Sequence, residues 1–380
     1  MAACTQSNVG DARSELAAAA ERARGDANPH WNDSRATPEE LERGRMDMSW
    51  RRVVVLDTTA MENGTPNPET WETITAATVN QRPTHLPLHG DVAGPSVLRA
   101  QILLDRALFS PGIIDGRWGA NTEKAIYWLQ RREGLPATGR LDERTFQRLA
   151  QLAGEPRQLV REHRLTEEDV EGPFVRIPDD IYEHARLDCS CYESLDEKLG
   201  ELFHTSPDLL RKLNPRLDLA SLTAGTGIYI PHVRDSQAVQ GAQIAKLVVS
   251  DGGRYVHAVD ANARIVYHFP ATLGSSYDPS PEGQHKVTSI TEDPWWHYQP
   301  AILSHVDSNR ADARIPPGPN NAVGVVWMAL DKPHYGIHGT RAPETIGYAT
   351  SAGCVRLTNW DALFLSRRIN EGTAVTFRDT

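Results

Sequence analysis

From Gln243 to the C-terminus the apolar residues come in short runs, "AKLVVS", "YVHAVD", "RIVYHFP", "HKVTSI" and "VGVVWMAL", split by clusters of Gly, Asp and Pro. That spacing predicts strands. In the last run Val325 and Trp327 face one side and Val326 and Met328 the other. A single late helix is predicted over "WDALFLSRRI", capped by Thr358 with Asp361 and ended by Gly372. Upstream the period is helical. Val97, Ala100, Leu104, Ala107 and Leu108 line one helix. Asn121 is placed to cap a second, with Ala125, Trp128 and Leu129 inward, and "DERTFQRLA" forms a third. Further on, Leu195, Leu199, Leu202 and Phe203 make a helical face whose start carries a capping box of Ser194 with Glu197. Ser206-Pro207 starts the next helix, Asn214-Pro215 stops it, and "GTGIYIP" reads as a strand with Ile228 and Ile230 on one face. The pattern predicts an α+β multidomain chain: a small three-helix bundle at 92–152, a module of two helices and a strand at 182–234, and a mostly-β, sandwich-like or curled-sheet domain at 243–380.

Residues 1–90 break this order. "SELAAAAERARGDANPHWNDSRATPEELERGR" holds few large apolar residues, so the stretch is expected to be a flexible tether. Within it a helix over Glu15–Arg24 and a lone strand over Arg51–Ala60 are local readings. The formal net charge of −10 makes a nucleic-acid partner an unfavourable reading. No run of 18 apolar residues occurs, and the start shows no secretory signal pattern. "MAAC" has the small-small-Cys form of a lipoprotein cleavage site, which makes Cys4 a candidate membrane tether against the plainer reading of a chance start. The four cysteines are too few for a disulfide scaffold, and Cys189 and Cys191, two apart, are expected to be free or buried thiols because bridging them would strain the backbone.

Chemistry gathers around "SAGCVRL" (351–357). A thiol attacks well only as a thiolate, which needs a base or a positive field nearby. "HYGIHGT" offers the base. In an extended segment His334, Gly336 and His338 share a face, with Gly336 leaving space between the histidines and Gly339 permitting a tight turn. The intervening "GTRAPETIGYAT" is long enough to form a lid or wall. Gly353 removes bulk beside the sulfur. The N–H groups of Gly353 and Cys354 are placed to hold an oxyanion, and Arg356, on the same face, to stabilise a thiolate or grip a carboxylate. The bland alternatives are a buried core thiol and a zinc site from His334, His338 and Cys354, which lacks an evident fourth ligand. His334 reads as structural or a substrate contact sooner than as a second base, and Trp295 and Trp296 as core or cleft wall.

Three resemblances add to this. "DGRWGANT" followed by a helix ending "LQ" resembles the three-helix peptidoglycan-binding domain. "LNP" with "IYIP" resembles a LysM-like βααβ module, with "CSCYESL" standing where the opening strand is usual. The pair "YGIHGT … SAGCVRL", with "IPPGPNNAVG" and an altered "SPEGQHKV", resembles the L,D-transpeptidase family over 243–380. The last resemblance implies Cys354 as nucleophile, His338 as general base and the carbonyl of Gly339 as its orienting group. It also implies Ser351, Gly353 and Arg356 as support of the oxyanion region, with Tyr335, Asn320 and His334 toward the substrate. It implies attack on the diaminopimelate carbonyl of a peptidoglycan tetrapeptide stem, release of D-alanine, and resolution of the thioester by an amine: a second stem, a lipoprotein lysine or a D-amino acid. No metal or organic cofactor is needed, and the expected location is the bacterial periplasm or cell envelope. The rival readings are a non-catalytic peptidoglycan-binding scaffold and a thiol hydrolase on the same substrate. One departure stands out: the family commonly has histidine before the Gly-Cys pair, where this chain has Ala352.

Overall fold

The structure, a computed structural model, describes residues 69–236, 242–275, 278–302 and 309–378. The readings at Cys4, Glu15–Arg24 and Arg51–Ala60 lie outside them. The described chain forms two compact units, one of residues 69–171 and 195–236, the other of 172–194 and 242–378.

The first unit opens with α1 (Ala76–Gln81), then α2 (Pro95–Arg106), α3 (Ala120–Glu133), α4 (Glu143–Leu152) and β1 (Val160–Arg164); α5 (Leu195–Leu202), α6 (Pro207–Leu213) and β2 (Gly227–Pro231) complete it. The helix boundaries follow from local chemistry. Gly134 ends α3 in the left-handed region, Asp142 caps α4 by accepting from Thr145 N–H, and Ser206 caps α6 ahead of Pro207. The α3 helix begins two residues earlier than expected, with Gly119 at its cap, so Asn121 lies inside the first turn.

Two expectations need correction here. The flexible tether does not extend to residue 90. Ile74 and Val79 are buried in one cluster with Leu98, Ile102, Ile114, Val160, Leu209 and Leu213. The segment is poor in apolar residues, but Ile74, Val79 and Leu88 are buried, and Thr75 and Thr78 form a capping box that starts α1. The module at 182–234 also begins elsewhere. Its opening strand is β1, which pairs antiparallel with β2 from Val160↔Pro231 to Arg164↔Gly227. Residues 172–194, "CSCYESL" for the most part included, leave for the second unit. A buried carboxylate adds a polar tie: Asp105 on α2 accepts from the backbone N–H and guanidinium of Arg234 (2.7 and 2.8 Å) and meets His204 Nδ1 at 2.8 Å.

The second unit is built on β3 (Lys246–Ser250), β4 (Tyr255–Val259), β5 (Ile265–Pro270), β6 (Gly283–Glu292), β9 (Val326–Leu330), β10 (Gly336–His338), β11 (Val355–Arg356) and β12 (Ala374–Arg378), in the order β11-β10-β9-β6-β12-β3-β4-β5. A separate ribbon pairs β7 (Trp296–Tyr298) with β8 (Ala313–Ile315). The ten-residue β6 pairs with β12 over its first part and with β9 over the rest, shifting register between Val287 and Ser289. The sheet bends there. Its far edges then meet: beyond β5, Thr272 exchanges both backbone hydrogen bonds with Arg356 (3.0 and 2.8 Å), and Gly274 bridges to Ser351. The domain is therefore one sheet curled on itself and not a two-layer sandwich. Inside the curl lies the late helix, α7 (Asn359–Ser366), capped by Thr358 Oγ1 accepting from Asp361 N–H at 3.2 Å. Its Phe364 ring meets Tyr267 and Phe269 of β5 at 5.1 and 6.3 Å.

Cys189 and Cys191 are joined to each other, with Cα atoms 5.2 Å apart, contrary to the reading as thiols. Extended chain would separate them by roughly 6.6 Å. The bend through Ser190 shortens that separation to a value near the middle of the usual range for a bridge.

Burial of Ile74 makes residues 69–82 part of the first unit's stability. Ile74→Ala is expected to cost about 2–4 kcal/mol in urea denaturation. A loss under about 0.5 kcal/mol would return this segment to the tether.

Candidate active site

The parallel pairing of β10 and β11 sets Ile337 beside Val355 and His338 beside Arg356. Carried back one residue, that register puts Cys354 level with Gly336, on the face that bears His338 and Arg356. Strand spacing and rise place the α-carbons of Cys354 and His338 roughly 8 Å apart, a span that an imidazole and a thiol reach across. Both side chains are sequestered, Cys354 at 1% and His338 at 0% exposure. Sγ of Cys354 lies 3.7 Å from the carbonyl oxygen of His334. Cys354 carries a disulfide in this structure, so its chemistry as a nucleophile belongs to the reduced chain.

His338 is held by a hydrogen bond and by a stacked ring. Its Nδ1 donates to the carbonyl of Gly339 at 2.7 Å. Its ring stacks on Trp327, centroids 5.3 Å apart and planes 26° from parallel. Nε2 is buried and makes no hydrogen bond of ordinary geometry among the described residues, although the Val323 carbonyl lies close enough to the ring to favour its charged form. The donor role of Nδ1 follows from the carbonyl it faces, which leaves Nε2 as the lone-pair nitrogen. Burial first, and then the Arg356 cation, push His338 from 6.5 down to about 3, against the opposing pull of the Gly339 and Val323 carbonyls. The imidazole is therefore neutral, the form that accepts a proton. A thiolate beside it would oppose the effect of Arg356 and favour the imidazolium.

The loop before Cys354 is shaped as tightly. Gly353 has φ +100°, and a β-carbon there would lie 2.7 Å from Tyr335 Cε1 and 3.1 Å from the Pro279 carbonyl oxygen. The bulk that this glycine avoids is Tyr335. Ser351 Oγ donates to the Cys354 carbonyl at 2.5 Å, while its N–H donates to Leu273 O at 2.7 Å. Ala352 is half-buried beside them. The segment 340–350 is a fixed wall: Thr272 Oγ1 donates to Thr345 O at 3.1 Å and accepts from Gly347 N–H at 3.0 Å, and Arg254 donates to the carbonyls of Tyr348 and Ala349.

Some expected placements differ. His334 does not share a face with His338. It sits exposed at φ +70° in the turn between β9 and β10, with its carbonyl oxygen 3.7 Å from the sulfur. Nor is there open space at Gly336: a β-carbon there would lie 2.5 Å from Trp327 Cζ2, so the missing side chain admits the indole that stacks on His338. Asn320 is buried with its amide donated to Cys191 O at 2.9 Å, while Ser190 ties the same loop by donating to Pro317 O and Pro316 O. Trp296 is core and Trp295 is 45% exposed. Two residues that the sequence reading missed shape the site: Trp327, taken as ordinary strand alternation, and Asn359, hidden in the cap of α7. The glycines at 336 and 339 were the available signal, since each marks the approach of another group.

Residues 245–377 match the family described as "L,D-transpeptidase catalytic domain", and residues 93–149 the family described as "Putative peptidoglycan binding domain". The chain is 29% identical over 180 residues to "Putative L,D-transpeptidase YkuD" of Bacillus licheniformis, covering 47% of this chain and 91% of that protein. It is 32% identical over 174 residues to the protein of the same description in Bacillus subtilis, covering 46% and 87%. The crystal structure of the L,D-transpeptidase (residues 123-326) from Xylanimonas cellulosilytica aligns with 78% of this chain and 100% of that one at 15% identity, with a TM-score of 0.34.

The depressed pKa of His338 has a measurable consequence. Between about pH 3 and 6.5 the unfolded chain binds a proton at this imidazole that the folded chain does not, so stability falls as pH falls through that window. Urea midpoints at pH 7.5 and pH 5 should differ less in His338→Gln than in the parent. An equal difference in both would contradict a buried, neutral His338.

Proposed function

The chain belongs to the L,D-transpeptidase family, and on that premise we propose that it breaks and remakes peptide bonds of peptidoglycan stems through a thioester on Cys354. The observation that carries this is the state of His338: Nδ1 anchored on Gly339, Nε2 buried with a free lone pair, and the strand of Cys354 paired alongside. A neutral imidazole so placed is a proton acceptor waiting for a donor.

In the reduced chain His338 Nε2 takes the proton of the Cys354 thiol. The sulfur attacks the diaminopimelate carbonyl of a tetrapeptide stem, forming a C–S bond and an oxyanion. The N–H groups of Gly353 and Cys354 serve that oxyanion. The C–N bond then breaks, and His338 returns the proton to the departing amine of D-alanine. An amine acceptor enters next, either the side chain of a second stem to give a 3-3 cross-link, or a lipoprotein lysine or D-amino acid. Its nitrogen attacks the thioester, His338 takes its proton, the C–S bond breaks and the thiolate is re-protonated. Arg356 favours the thiolate or holds a stem carboxylate, while Tyr335, packed against Gly353, lines the donor side. Ser351 holds the Cys354 peptide. Upstream, the peptidoglycan-binding match at 93–149 supports retention on the wall polymer, and with it a place in the cell envelope.

Reduced protein incubated with disaccharide-tetrapeptide is expected to yield cross-linked dimer or amine-exchanged stem with release of D-alanine, read by mass spectrometry. Cys354→Ala should lower this by roughly 10⁴-fold or more, and a carbapenem should add its mass to Cys354 in the parent only. Tripeptide as sole product would make the enzyme a hydrolase. The absence of both product and adduct would leave a binding scaffold, and dimer formed by Cys354→Ala would remove Cys354 from the chemistry.

A further inference from the structure

We propose that Asn359 is the positioning residue that fixes the tautomer of His338, acting through the single peptide unit between Gly339 and Thr340. The inference rests on the reading of His338 as the base. The carbonyl of Gly339 accepts from His338 Nδ1 at 2.7 Å, and the N–H at the other end of that same peptide, on Thr340, donates to Asn359 Oδ1 at 3.0 Å. The plane cannot turn to release one bond without losing the other.

Asn359 is itself immobilised. It is 2% exposed at the first turn of α7, its Oδ1 also accepts from Val325 N–H at 3.3 Å, and its Nδ2 donates to Pro319 O at 3.2 Å. The partners decide the orientation of the carboxamide, because two N–H donors face one atom and a carbonyl faces the other. The backbone makes room for it. A β-carbon at Gly324, whose φ is +63°, or at Gly339 would collide with Oδ1 of Asn359. Both glycines adjoin the strands that carry the site. Thr340 N–H bound to a carboxamide also polarises the Gly339 carbonyl, strengthening its hold on Nδ1–H.

Without Asn359 the Gly339–Thr340 peptide is free to rotate, Nδ1 loses its acceptor for part of the time, and the proton redistributes to Nε2. That nitrogen then has no lone pair for the thiol. A residue that only supported the packing of α7 would have no such effect on the imidazole.

The test uses the reduced full chain. Two-dimensional ¹H–¹⁵N spectra of the histidine rings are expected to show His338 as the Nδ1–H tautomer in the parent. Asn359→Ala should give a mixture with Nε2–H and a kcat lower by roughly 10–100-fold, with KM changed far less. Asn359→Asp, which keeps an acceptor for both N–H groups, should restore the Nδ1–H tautomer. If Asn359→Ala does not fold, Asn359→Ser, too short to reach both amides, carries the same expectation. A folded Ala or Ser variant that keeps the pure Nδ1–H tautomer overturns the inference. The spectra do not depend on turnover: a parent with the expected tautomer shift in its variants but no thioester or adduct at Cys354 overturns the proposed function and leaves this inference standing.

Discussion

The pair of backbone hydrogen bonds between Thr272 and Arg356 joins the two edges of the curled sheet. Arg356 is thereby gripped from both sides, by Thr272 across the seam and by His338 along β10. The short β11 would be a weak edge alone. Held between two neighbours it becomes the rigid base from which the Ser351–Cys354 loop projects. That closure sets the wall segment 340–350 beside Thr272, while the pairing of β10 with β11 brings the strand of Cys354 alongside that of His338.

A closed seam also keeps water out, and exclusion of water governs the electrostatics. His338 is neutral because a buried imidazolium next to Arg356 would be costly. The same burial makes an unsatisfied polar atom expensive, so the free Nε2 is a group held ready at some cost to stability. Glycines make this crowding feasible. Gly336 admits Trp327 against the imidazole, Gly353 admits Tyr335 against the loop, and Gly324 with Gly339 admits the Asn359 carboxamide. These glycines, absent from ordinary strands for reasons of entropy, are contact points where a second chain segment takes the volume of a side chain.

Much of the local structure was legible in the order of residues. The strands from Lys246 to Leu330, the helix after Thr358 and the helices between Pro95 and Leu152 fall close to where their periods put them, although the late helix stops at Ser366 and not at Gly372. The failures share a cause. The segment around Ile74 looked like tether because it holds few apolar residues, and number does not report that Ile74 and Val79 are buried. The opening strand of the βααβ arrangement went unseen because its partner lies more than sixty residues away and the chain between makes an excursion into another unit. Cys189 and Cys191 looked unbridgeable because a bridge between residues two apart was expected to strain the backbone, yet the chain holds their α-carbons 5.2 Å apart.

By itself the sequence determined the types of chemistry available: a thiol flanked by glycine and arginine, a histidine followed by glycine, and the helical and strand periods that put them in one domain. These depend on residue identity and short spacing, which a linear text carries. Only the tertiary structure decided that His334 faces solvent while His338 is buried, that Trp327 fills the gap at Gly336, and that Asn359 reaches the peptide on which His338 rests. Those outcomes depend on which distant segments share a volume once the sheet has curled and closed, a quantity set by packing and not by sequence distance.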